Sequence, residues 1–110
     1  MTLDTGPINL DESDFENTIA TYPLIIVDFW APWCGPCSAF SPIFARSAAA
    51  HPEVLFSKVN VDESPDLAHH LQIRSIPTIT TVKNKELVSV HVGSLPFAAL
   101  ENMIGELLAS

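Results

Sequence analysis

Cys34 and Cys37 stand two residues apart in the stretch Phe29-Trp30-Ala31-Pro32-Trp33-Cys34-Gly35-Pro36-Cys37, and they are the chain's two cysteines. A pair at that spacing can exchange with a disulfide, supply half a metal site, staple a turn or lie inert in a core. As a staple it closes a loop of about four residues, for which chain entropy contributes only roughly 2 kcal/mol. A zinc site needs two more ligands, and among His51, His69, His70 and His91 the middle two are adjacent rather than three to five apart. Position favours thiol exchange. An apolar run ends at Trp30 and a helical pattern opens at Cys34, which puts Cys34 beside the first free N–H groups and the positive end of a helix dipole, where a thiolate is stabilised. Cys37 lies one turn further in on the same face, within reach to displace a substrate from Cys34.

The elements that must hold this pair alternate between strand and helix signals, which reads as α/β. Asp11 opens a short helix with Phe15 and Ile19 four apart and acids Glu12 and Asp14 in its first turn, ending before Pro23. Leu24 to Trp30 is almost continuously apolar, the mark of a central strand covered on both faces. A helix follows from Cys34 to about Ala50, with Pro42 inside it expected to kink it. Val54 to Asn60 reads as a strand with Ser57 and Lys58 outward. Ser64 and Pro65 then open a short helix to about Leu71. Thr78 to Val82 and Leu87 to Val92 form an antiparallel hairpin with Asn84 in the turn, so the sheet is mixed. Ser94 is expected to cap a last helix from about Pro96, whose apolar stripe includes Leu100, Met103, Ile104 and Leu107.

With 110 residues the chain is the size of one domain, residues 1–110, given that domains run about 100 to 200 residues. It is 47% hydrophobic and 16% charged, against roughly 25% charged in an average soluble domain, so it can bury a core. Thirteen acidic and five basic residues leave a net charge of -8, which repels nucleic acid and anionic membrane surfaces. No apolar run approaches the roughly 18 residues of a membrane span. Met1-Thr2-Leu3-Asp4 has no basic region leading into an apolar one, so no export signal is expected and the reading is cytoplasmic.

Two further residues are singled out by cost or restriction. A carboxyl at Asp28, inside the apolar central strand, is costly to ionise unless backbone donors or a partner satisfy it. Pro77 precedes a strand and by itself marks an ordinary strand start.

Beyond the cysteine stretch, the chain carries Val27-Asp28-Phe29-Trp30-Ala31, Lys58-Val59-Asn60-Val61-Asp62, Arg74-Ser75-Ile76-Pro77-Thr78 and Val92-Gly93. In these motifs and their separations, over nearly all of its length, it resembles the thioredoxin family. The resemblance implies a mixed sheet of about five strands with four helices on its two faces, in a monomer. It implies a protein-disulfide reductase in which Cys34 attacks and Cys37 resolves. Asp28 would accept the Cys37 proton, directly or through water, with Lys58 as its charge partner. The Ile76-Pro77 bond is expected to be cis, leaving the Ile76 backbone free to pair with an extended substrate. Trp33, Gly35, Pro36, Ile76, Pro77, Val92 and Gly93 would surround an exposed sulfur as an apolar docking surface. Trp30 is expected to pack in support of the site.

The implied partners are disulfide-containing client proteins and an NADPH-dependent flavoprotein thioredoxin reductase, with no cofactor or metal held by this chain. Two other uses of the fold stay open: a binding module or chaperone, and a disulfide oxidant or isomerase. Ser38 replaces a basic residue common after the second cysteine. Lys85 replaces a turn glycine, which moves the left-handed position onto Asn84, and Val82 replaces a phenylalanine.

Overall fold

A computed structural model describes residues 6–110. Met1 to Asp4, read above for an export signal, lies outside the described residues. The run Leu24–Trp30 forms β2, and its neighbours explain its composition. Parallel β3 (Leu55–Asn60) lies on one side and antiparallel β4 (Thr78–Lys83) on the other. β1 (Ile8–Leu10) pairs parallel with β3 and β5 (Glu86–Val92) antiparallel with β4, giving the order β1-β3-β2-β4-β5. Among the described residues four helices complete the fold: α1 (Glu12–Thr21), α2 (Gly35–Ala50), α3 (Pro65–His70) and α4 (Phe97–Ala109). The expected mixed five-stranded sheet with four helices is therefore present.

Alternation along β2 divides the core. Ile26 points to the α2 and α4 side, against Phe40, Phe44, Leu100, Ile104 and Leu107. Ile25, Val27 and Phe29 point to the α1 and α3 side, with Phe15, Ile19 and Leu67. Between α2 and α4 the apolar packing is joined by a polar tie. Ser47 Oγ donates to Glu101 Oε2 (2.7 Å), and the same carboxylate meets His51 Nε2 at 2.9 Å.

Local signals act largely as expected. Asp11 caps α1, accepting from the Ser13 and Asp14 amides while Asp14 Oδ1 accepts the Asp11 amide. α2 continues across Pro42 to Ala50.

The departures have physical causes. β1 was not located in the sequence because three residues carry too little alternation to register. Ser57 is fully buried rather than outward, its hydroxyl donating to the Ile26 carbonyl (3.0 Å), because β3 is covered on both faces. Ser64 precedes α3 but its hydroxyl makes no cap; Glu12 of α1 instead accepts from the Asp66 and Leu67 amides. α4 starts after Pro96, not through a cap by Ser94. In the β4–β5 turn both Asn84 (φ 50°) and Lys85 (φ 73°) are left-handed, the pattern of a type I′ two-residue hairpin turn, whose twist matches that of the flanking strands.

Candidate functional site: a cysteine pair at the start of a helix

The cysteines sit where β2 hands over to α2. Cys34 is the N-cap residue, and its sulfur accepts the Cys37 amide at 3.2 Å. Pro36 occupies the first turn, where its missing N–H deprives the helix of nothing. Cys34 and Cys37 are joined as a disulfide, with Cα atoms 5.2 Å apart. Cys37 also begins the buried stripe of α2 that continues through Phe40, Phe44, Ser47 and Ala48. The pair is thus anchored in the core on one side and open to the helix amides on the other.

The second wall comes from the segment before β4. The Ile76-Pro77 bond is cis, as expected, and the Cys34 sulfur lies 3.8 Å from the Ile76 carbonyl oxygen. The Pro77 carbonyl accepts the Gly93 amide (2.8 Å), and Gly93 has a φ of 107° that other residues rarely adopt. Ile76, Pro77 and Gly93 are therefore brought together beside the sulfur.

The expected flat surface around an exposed sulfur needs correction. Cys34 is only 5% exposed, because as an N-cap it turns its sulfur inward to the Cys37 amide. Pro77 is buried as well, and Ile76 and Gly93 are half-buried. The exposed rim consists of Trp33 at 71%, Gly35, Pro36 and Val92 at 60%. Trp33 is held by its indole N–H, which donates to Asp62 Oδ2 at 2.8 Å.

Asp28 projects from β2 on the same side as Ile26 and Trp30, the side covered by α2. It is fully buried, and neither carboxylate oxygen has a hydrogen-bond partner. Burial pushes its pKa up to about 6, with the Lys58 charge pulling the other way. Lys58 stands opposite it in the β2–β3 register. Yet no ion pair joins the two among the described residues. The Lys58 ammonium donates to Ser41 Oγ (3.2 Å) and lies 4.6 Å above the Trp30 ring. The charge partner expected of Lys58 therefore acts only at a distance, because a hydroxyl and an aromatic face hold its head. Trp30 packs against Ala31, Cys34 and Cys37 as anticipated.

Asp62 and Ser41 were not singled out by sequence. Asp62 lies 29 residues from the tryptophan it holds, so no local spacing could have revealed it. Ser41 stands one helical turn beyond Cys37, but that this face of α2 covers Lys58 is not written in the spacing. No cluster of metal-binding residues and no membrane-crossing helix occurs among the described residues.

Comparison with known proteins agrees with this geometry. The thioredoxin family model matches residues 6–106. Over 102 residues the chain is 38% identical to putative thioredoxin 2 of Streptomyces coelicolor, covering 93% of this chain and 76% of that one. It is 36% identical over 101 residues to the thioredoxin of Haemophilus influenzae, covering 90% and 94%. The oxidised structure of mitochondrial thioredoxin 3 from Saccharomyces cerevisiae superposes with a TM-score of 0.84 at 34% identity, covering 92% of this chain and 95% of that one. The chain belongs to the thioredoxin family. Its chemistry is thiol–disulfide exchange, and its substrates are proteins that carry disulfides.

Proposed function

We propose that this chain works as a single-domain, monomeric, cytoplasmic electron carrier that reduces client disulfides and is itself re-reduced by an NADPH-dependent flavoprotein thioredoxin reductase. The observation that carries the reading is the Cys37 amide pointing at the Cys34 sulfur from the first turn of α2. An N–H so placed stabilises negative charge on Cys34 in the reduced protein.

In the first step the Cys34 thiolate attacks one sulfur of the client disulfide. A Cys34–client bond forms, the client S–S bond breaks, and the other client sulfur leaves as a thiolate. Cys37 then gives its proton to Asp28, directly or through water, and its thiolate attacks the Cys34 sulfur. The Cys34–Cys37 bond forms and the second client thiolate departs. Two electrons have moved to the client, and the reductase returns two to the cysteine pair. Trp33, Gly35, Pro36 and Val92 offer the client an apolar rim, while the half-buried Ile76 and Gly93 line its inner edge with Pro77 beneath. Lys58, opposite Asp28 in the β2–β3 register, tempers its charge.

Insulin reduction and covalent trapping test this together. Wild-type protein is expected to cleave insulin disulfides with dithiothreitol as donor. Cys37→Ser should retain clients as mixed disulfides and Cys34→Ser should not. Equal trapping by both variants would reverse the two roles, and uncleaved insulin would remove the reductase reading.

A further inference from the structure

Asp28 and Lys58 are register partners on neighbouring parallel strands, and both side chains leave the sheet on the side that α2 covers. Adjacent strands lie only about 4.8 Å apart, so the four-carbon stem of Lys58 is long enough to bring its ammonium to the carboxylate. A buried carboxyl with neither oxygen satisfied is costly to ionise, which favours such a pairing. Yet no ion pair joins the two among the described residues. The ammonium is drawn instead to the half-buried Ser41 hydroxyl of α2, which accepts from it at 3.2 Å, with the Trp30 ring 4.6 Å away. The ring attracts the charge but offers no lone pair. Ser41 Oγ is therefore the one hydrogen-bond acceptor of Lys58 Nζ among the described residues.

The other charged groups around Asp28 are engaged or remote. β4 sets apolar Ile79 opposite it, and His91 of β5 stands one strand further off. On α2 both cysteines are tied in the disulfide, and Arg46 lies over Phe97. On α4 Glu101 is taken by Ser47 and His51, and Glu106 is exposed. Lys58 is the charge that lowers the proton affinity of Asp28, so the resting place of its head decides how basic that carboxyl is.

We infer that Ser41 is a positioning residue of the site: its hydroxyl anchors the Lys58 ammonium on α2 and so keeps Asp28 unpaired and ready to take a proton. Without that hydroxyl the ammonium loses its acceptor, and the unsatisfied acceptor across from it is the Asp28 carboxylate. The bearing on catalysis rests on the reading of Asp28 as the acceptor of the Cys37 proton, but the hold on Asp28 is measurable without it.

NMR of the Asp28 carboxyl carbon against pH, in the oxidised protein where Cys37 does not titrate, tests the anchor. Ser41→Ala should lower the Asp28 midpoint by on the order of one pH unit, as a close opposite charge does. Ser41→Thr keeps a hydroxyl and should stay near wild type. Lys58→Met should raise the midpoint, and adding Ser41→Ala to it should change nothing more, because the serine acts through the lysine. Alanine is the better helix former, so Ser41→Ala does not endanger α2. A midpoint that Ser41→Ala leaves in place or raises, a threonine variant that behaves like the alanine one, or a shift that persists without Lys58 would overturn the inference. Stopped-flow release of a client peptide from its mixed disulfide with Cys34 should show a pH profile that moves with the midpoint. A midpoint that moves while release does not would uphold the anchor and remove Asp28 as the acceptor of the Cys37 proton.

Discussion

Neither oxygen of the Asp28 carboxyl has a hydrogen-bond partner, so burial sets its proton affinity. The consequence for stability follows from its sign. With a pKa of about 6 in the folded protein against an ordinary 3.8, the folded state holds a proton between those values that the unfolded chain has released. Stability is therefore full below pH 3.8 and falls as pH rises through about 6, by about 3 kcal/mol in all. Asp28→Asn should be more stable than the parent by about that amount at pH 8 and by little at pH 4. Urea unfolding of both proteins at the two pH values measures it, and a gap that ignores pH would rule the explanation out. The expense of this residue was legible in the sequence, since a carboxyl interrupted an apolar strand. The disposition of Lys58 was not. Register placed it opposite Asp28, but Ser41 and the Trp30 ring compete for its ammonium, and both contacts depend on how α2 lies over the sheet.

Among the elements, α2 and α4 meet through a contact that should respond to pH. The hydrogen bond to Glu101, opposed by burial, raises the pKa of His51 above its ordinary 6.5. Burial raises that of Glu101, but hydrogen bonds from Ser47 and His51 outweigh it and hold the carboxyl below its ordinary 4.5. The first contribution is present below pH 6.5 and lost as pH climbs through the folded value. The second is present above pH 4.5 and lost as pH drops through its own. The tie is strongest between about 4.5 and 6.5. Glu101→Gln should therefore cost on the order of 1 kcal/mol at pH 5.5 and less at pH 8.5, as read by denaturant midpoints. Element boundaries were readable wherever caps and prolines marked them, as at Asp11, Pro23 and Pro65. They were not readable where the deciding partner is distant, as with Glu12 capping α3, nor where an element is as short as β1.

For the whole molecule, the excess of acid governs encounters. At about 10 mM salt the field of a chain with net charge -8 extends roughly 30 Å, and at about 150 mM roughly 8 Å. A basic disulfide peptide should be reduced faster than an acidic one of the same length at low salt, and the difference should shrink as salt is added. Rates that do not depend on peptide charge would show that docking at the rim, not approach, limits the reaction. The fold itself was legible because the family's motifs each stand at the expected separation. A groove beside β5 was invisible, because α1, the segment 71–75 and β5 contribute to it from three separate parts of the chain.

The outer edge of β5 has no neighbouring strand among the described residues, so a row of main-chain donors and acceptors there is open to another sheet. Mutual repulsion between copies protects it while the carboxylates are ionised. On acidification that protection fades and leaves β5, the longer of the sheet's two edge strands, open to pairing. Precipitates formed in mild acid should grow by strand addition along it, Leu87 and Val90 of one molecule meeting those of the next.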